Sequence, residues 1–253
     1  MSIGIFIFAF TIIGLGVFFA HYEELKPYAS IFIGYAGIAF VFYVIMQLWE
    51  LFACDTSADF ERVFIDFLLF GRNIALSSVG AYFLLKQKLP AAPILLNSDE
   101  AKPQWKAHLW SAFSAVILML VVTLVLLTIS SPSILKSNRV SFFDQITVGF
   151  QAILVGFSEE TYYRLFLQAL FLHWFRKAAY GGALSIFLTS IVWALSHAGI
   201  LETGGMKFLQ IFLMGIILGK LMMKRGFESC VIAHAGFNFV AYAYLADFKI
   251  ASA

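Results

Sequence analysis

Residues 157–166 read FSEETYYRLF, two carboxylates and a guanidinium inside an otherwise apolar run. Glu160 and Arg164 are four apart, with the acid N-terminal to the base, the better orientation for an ion pair across one helical turn. Glu159 is rotated by about 100° from Glu160 on a helix of 3.6 residues per turn. It therefore need not share the arginine, and it is available as a general base. Further along, WALSHAG sets Trp193 and His197 one turn apart, so that an indole packs below an imidazole able to abstract a proton or bind a metal. HAGFN sets His234 and Asn238 on one helix face, with Ala235 and Gly236 between them leaving room for close backbone approach.

The elements that carry these groups read as membrane spans. The chain has 253 residues, 61% hydrophobic and 13% charged, with a mean hydropathy of +0.88. That is far from the composition of a soluble domain. Apolar runs predict eight helices over about 2–20, 29–53, 63–85, 109–131, 145–172, 181–200, 206–223 and 227–246. The fold class expected is all-α, a polytopic helix bundle forming one domain over 1–253, with the active site among the C-terminal four helices. Within it, 1–85 are accessory helices, the proline- and lysine-bearing stretch 86–108 is a connecting loop, and 109–253 are the catalytic helices. Residues 1–20 lack a basic start and a small-residue cleavage site, which predicts a retained first helix rather than a signal peptide.

Ten of the 17 lysines and arginines fall in the connections 21–28, 86–108, 173–180 and 220–228, five fall on the other side, and Arg72 and Arg164 lie within spans. The positive-inside rule then places the first set in the cytoplasm and both termini outside. The expected location is a bacterial cytoplasmic membrane. A net charge of +2 with scattered basic residues argues against nucleic acid as a partner. Membrane lipids and a peptide or lipidated protein substrate are the expected partners. No CxxC or repeated Cys/His spacing indicates a disulfide framework or a zinc finger.

A charge near the bilayer centre costs roughly 2.5–3.5 kcal/mol on insertion scales, so intramembrane charges face a protein interior or a wet cavity. One buried histidine is usually helix glue. Two carboxylates, an arginine, two histidines and an asparagine on three helices are too many costly groups for glue alone. Other polar residues take structural readings. Asp66 and Arg72 are six apart and do not share a face, His21, His108 and His173 sit at predicted helix ends and read as interfacial, and Cys230 reads as a packing residue near His234 rather than a thiol nucleophile. GIILG, Gly215 to Gly219, reads as a small-residue contact face.

In chain order EETYYR, WALSH and HAGFN match EExxxR, aromatic-xxx-His and HxxxN, and over about 145–246 the chain resembles the CPBP family of intramembrane proteases. That family, also labelled Abi, covers type II CAAX prenyl endopeptidases and bacteriocin-processing or bacteriocin-immunity proteins. The resemblance implies that Glu159 and His197 activate a water for attack on a peptide carbonyl. It implies that His234 and Asn238 stabilise the oxyanion, with Glu160, Arg164 and Trp193 supporting. Trp193 stands where many members have phenylalanine. Peptide hydrolysis needs such a base and such donors. No cofactor is favoured; the alternative is a zinc held by Glu159, His197 and His234 with an open position for water, although HExxH is absent. Two further readings are a transporter using the polar cluster and a non-catalytic immunity or scaffold protein.

Overall fold

Apolar side chains on every face leave backbone amides without water in a bilayer, and a helix satisfies them within the segment. The computed structural model describes residues 3–34, 37, 41, 44, 60–91, 104–130, 142–197 and 204–244, and among these every regular element is a helix. The elements are α1 (Ile3–Ala20), α2 (Tyr22–Gly34), α3 (Phe60–Lys86), α4 (Trp105–Ser130), α5 (Phe142–Glu160), a π-helical segment (Thr161–Gln168), α6 (Ala169–Trp174), α7 (Gly181–His197), α8 (Gly204–Arg225) and α9 (Phe227–Tyr244). The α5, π and α6 segments follow one another without a break. The chain is an integral membrane protein, and large side chains such as Phe19, Trp110 and Ile129 stand more than two thirds exposed on its outer surface, as lipid contact requires.

By length and composition, Trp105–Ile129 and Gly205–Arg225 are long and apolar enough to cross a membrane. The helices Ile5–Ala20 and Tyr22–Gly34 pass that test only together, as a pair bent by 112°. The sequence predicts a second helix over 29–53; the helix instead begins at Tyr22, directly after the turn at His21. Most of 35–53 lies outside the described residues, as do Cys54 and the side chain of Asp66.

Four polar or aromatic links gather the basic connections at one end. Tyr82 on α3 donates to Glu24 on α2 and accepts from Lys86. Phe83 stacks on His173 at 4.4 Å between ring centroids, Phe227 N–H donates to the Ala91 carbonyl at 2.7 Å, and Arg225 donates to Ser111 at 3.2 Å. Helix α8 stops there because Gly226 takes φ 84°, a left-handed value suited to glycine, and its N–H returns to Met222 O at 2.9 Å.

Small residues set the helix spacing. A Cβ on Gly215 would come within 2.7 Å of Ser190, and one on Gly219 within 2.7 Å of Ile186, so the GIILG face does pack, against α7. His108 departs from its interfacial reading: it lies buried in the first turns of α4, with Nδ1 3.0 Å from Ser229 Oγ on α9. The connecting stretch is shorter than expected, because α4 begins at Trp105.

Candidate active site

Three consecutive residues at the end of α5 face three different partners. Ser158 faces α3, where its hydroxyl accepts from Asn73 Nδ2 at 3.2 Å. Glu159 faces α7, where Trp193 Nε1–H donates to its Oε2 at 2.6 Å and His197 Nε2 stands 3.6 Å from its Oε1. Glu160 faces α9, where His234 Nδ1–H donates to its Oε1 at 2.8 Å. The roughly 100° step per helical residue is what separates them.

The next turn repeats this division. Tyr162 packs towards α3, with the Arg72 guanidinium 5.5 Å from its ring centroid. The Tyr163 hydroxyl donates to Ser196 Oγ at 2.9 Å, beside His197. Arg164 lies wholly buried, Nε 3.4 Å from Glu160 Oε2 and its guanidinium 4.7 Å over the Trp193 ring. At 3.4 Å this is an ion pair rather than an aligned hydrogen bond, and Nη1 and Nη2 have no hydrogen-bond partner among the described residues. The indole face therefore supplies part of what holds the cation.

These residues sit where the backbone leaves α-helical geometry. Thr161–Gln168 is π-helical and buried along its whole length, and such bulges are rare and cluster at functional sites. It is clamped by α3: a Cβ on Gly80 would fall 1.9 Å from the Leu165 carbonyl oxygen. On the far side, Gly156 lets α5 approach the backbone of α9, where a Cβ would meet Ala235 N at 3.1 Å. The Gly149–Phe239 and Gly156–Ala235 contacts run α5 and α9 antiparallel, and this register brings His234 to Glu160. His197, at the far end of α7 from the basic connections, reaches the same place through Trp193, whose ring lies 5.8 Å from His197 and 5.4 Å from His234.

Burial divides the cluster into an inner and an outer part. Glu160 and Arg164 are sealed, and His234 and Asn238 are nearly so. The side chains of Glu159 and His197 are 24% and 25% exposed, so this pair forms the accessible side. His197 Nδ1–H donates to the Trp193 carbonyl at 3.0 Å, which leaves Nε2 facing Glu159. A backbone carbonyl can only accept, so this contact selects the tautomer with the Nε2 lone pair free when the ring is neutral. Lys207, on the first turn of α8, interacts electrostatically with both Glu159 and His197.

The structure thus brings together Glu159, Trp193 and His197 on one side, and Glu160, Arg164 and His234 on the other. Asn238 follows His234 one turn later on α9 and is buried. Among the described residues no group of three His, Cys, Asp or Glu side chains, Glu159, His197 and His234 included, converges as metal ligands. Sequence reasoning missed Asn73, Tyr163 and Lys207. Tyr163 carried a signal, since it is four residues after Glu159 and shares its face; Asn73 and Lys207 come from α3 and α8 and carried none. Arg72 was read apart from the cluster, yet it donates to Asn73 Oδ1 at 3.0 Å and so borders the helix that bears Glu159. Cys230 is fully buried with its thiol donating to Leu218 O at 3.3 Å, which suits packing.

Residues 142–240 match the family model described as type II CAAX prenyl endopeptidase Rce1-like. The match runs from α5 into α9 and contains all three motifs, so the resemblance read from EETYYR, WALSH and HAGFN holds. No curated protein and no solved structure matches the chain.

Proposed function

We propose, from the match of residues 142–240 to the prenyl endopeptidase family model, that this protein is an intramembrane endopeptidase in which Glu159 and His197 activate a water for attack on a peptide carbonyl. The observation that carries this reading is the accessible Glu159–His197 pair, 3.6 Å apart, backed by a sealed layer of polar residues. A water between Oε1 and Nε2 has a carboxylate to orient it and a lone pair to receive its proton. Trp193 anchors the other carboxylate oxygen, and Tyr163 and Ser196 border the imidazole, so the base is held in one orientation.

The second half of the chemistry falls to His234 and Asn238. As the carbonyl becomes tetrahedral, negative charge develops on its oxygen, and donors preorganised in a dry site stabilise it. His234 places Nδ1–H on Glu160. In the doubly protonated ring Nε2–H is then free to donate, and the Glu160 carboxylate balances its charge. The Asn238 amide is the second donor. Arg164 balances Glu160 in turn, so the sealed layer carries alternating charge from Arg164 through Glu160 to His234. The expelled amine takes a proton from His197.

The substrate class we propose is a peptide or a lipidated protein C-terminus, as the prenyl endopeptidase description of the matching family suggests. The proposed architecture is eight spans in a bacterial cytoplasmic membrane with the basic connections in the cytoplasm. No metal step is proposed, because the donor set does not converge. The test is cleavage of S-prenylated and unprenylated peptides in membranes by the parent, Glu159→Gln, His197→Ala and His234→Ala proteins, each checked for folding. Folded variants that cleave as fast as the parent would remove the assignment.

A further inference from the structure

Where α4 passes α8, Trp110, Ser114 and Leu118 face Ile217, Lys220 and Lys224 across a groove of about 460 Å³. A second hollow of about 530 Å³, bounded by Trp105, Lys106 and Phe113, shares Trp110 with it. Apolar side chains form most of both walls, no carboxylate lines either, and the three lysines stand at the end where the basic connections gather. This outer surface is built for lipid: Trp110, Phe113 and Leu118 are each about half exposed or more. The walls are fixed by two polar cross-links, Arg225 to Ser111 at 3.2 Å and Gln210 to Thr123 at 2.8 Å, so the groove exists before anything enters it.

The lysines are not equally explained by their position. Lys224 lies in the last turn of α8, where the helix dipole favours a cation and a short reach finds the interface. Lys220 lies one turn deeper, about 6 Å along the axis. It is exposed on the groove side over an apolar floor, and it has no ion-pair partner among the described residues. A lone cation at that depth calls for an anion from the surroundings, and the surroundings of α4 are lipid. Lys220 and Lys224 are four residues apart and share a face, the spacing for two lysines to hold one phosphate.

We propose that the α4–α8 groove is a binding site for one anionic phospholipid, its phosphate on Lys220 and Lys224 and an acyl chain laid against Leu118 and Ile217. Basic pockets between helices at the cytoplasmic side of a membrane select acidic headgroups in this way. The site is separate from the Glu159–His197 pair and does not depend on the protein being a protease.

The experiment is native mass spectrometry of the full-length protein released from nanodiscs containing equal phosphatidylglycerol and phosphatidylcholine with identical acyl chains. The parent is expected to retain one phosphatidylglycerol in preference to phosphatidylcholine. Lys220→Gln should weaken that retention about fivefold and the double Lys220→Gln/Lys224→Gln variant about thirtyfold, whereas Lys177→Gln, a cation outside the groove, should leave it unchanged. Equal retention of the two lipids by the parent overturns the proposal, as does a double variant that keeps the parent's preference. Loss of the lipid to millimolar inorganic phosphate would reassign the lysines to free phosphate, and its loss to an S-farnesylated peptide would reassign the groove to substrate; either also overturns it. Should the double variant fail to fold, the parent's preference at low and high salt still decides: a preference that salt leaves unchanged is not electrostatic and overturns the site.

Discussion

At the scale of single residues the two glutamates of EETYYR, adjacent in sequence, have opposite surroundings. Glu159 is partly open and faces an imidazole nitrogen, whereas Glu160 is sealed between His234 and Arg164. Glu159→Gln should keep the indole contact and the fold while lowering cleavage by about 10²–10⁴-fold, the usual weight of a positioned general base; single-turnover assays on folded protein measure it. Arg164→Ala should act on stability first. Removing one partner of a buried ion pair costs about 3–5 kcal/mol, so its unfolding midpoint in detergent should fall well below that of the parent, and equal midpoints would refute the pairing. Tyr163→Phe removes only a hydroxyl that borders Ser196, and about 1 kcal/mol should appear as an approximately fivefold loss in kcat with little change in stability.

At the scale of elements the π-helical segment is what distributes the cluster. It lies between α3 and the helices α7 and α9, and its backbone touches Gly80 directly. Gly80→Ala would drive a methyl group into the Leu165 carbonyl, and overpacking of this kind costs about 1–3 kcal/mol. Activity should fall together with stability, even though Gly80 is remote in sequence from all three motifs. Parallel thermal-unfolding and cleavage measurements on Gly80→Ala, set beside Gly34→Ala, where a Cβ meets nothing within 4 Å, test this. A Gly80→Ala protein as stable and active as Gly34→Ala would show that α3 does not hold the segment in place. The N-terminal helices would then be accessory in the strict sense.

At the scale of the whole molecule, the links among Glu24, Tyr82 and Lys86, between Phe83 and His173, and between Ala91 and Phe227 bring four basic connections to one end. His197 ends α7 away from Gly181, about 24 Å along that helix, so the accessible side of the site lies towards the other end. Cysteines placed at Lys88 and Lys177 in a protein lacking Cys54 and Cys230 should react with an impermeant maleimide from the cytoplasmic side, and one at Gly205 from the opposite side. Labelling of all three from one face would overturn the proposed topology. A metal-free mechanism further predicts full cleavage after chelation and no stoichiometric zinc in the purified protein, measured by elemental analysis.

Much of the site was legible in the chain because charge in a bilayer is costly and helical spacing is regular: a glutamate four residues before an arginine, or a histidine four before an asparagine, shares a face wherever the helix goes. The sequence by itself thus determined the membrane class, the limits of the continuous α5–π–α6 run and of α7, α8 and α9 to within a few residues, and the pairing of Glu160 with Arg164. It could not determine which helix each face would meet. Only the tertiary structure decided that Glu160 also receives His234, that Glu159 lies between Trp193 and His197, that α1 and α2 bend sharply on one another, and that His108 is buried. Each of these depends on helix register and separation, which glycine contacts such as Gly156 on Ala235 and Gly80 on Leu165 set, and a contact between distant segments has no periodic signature along the chain.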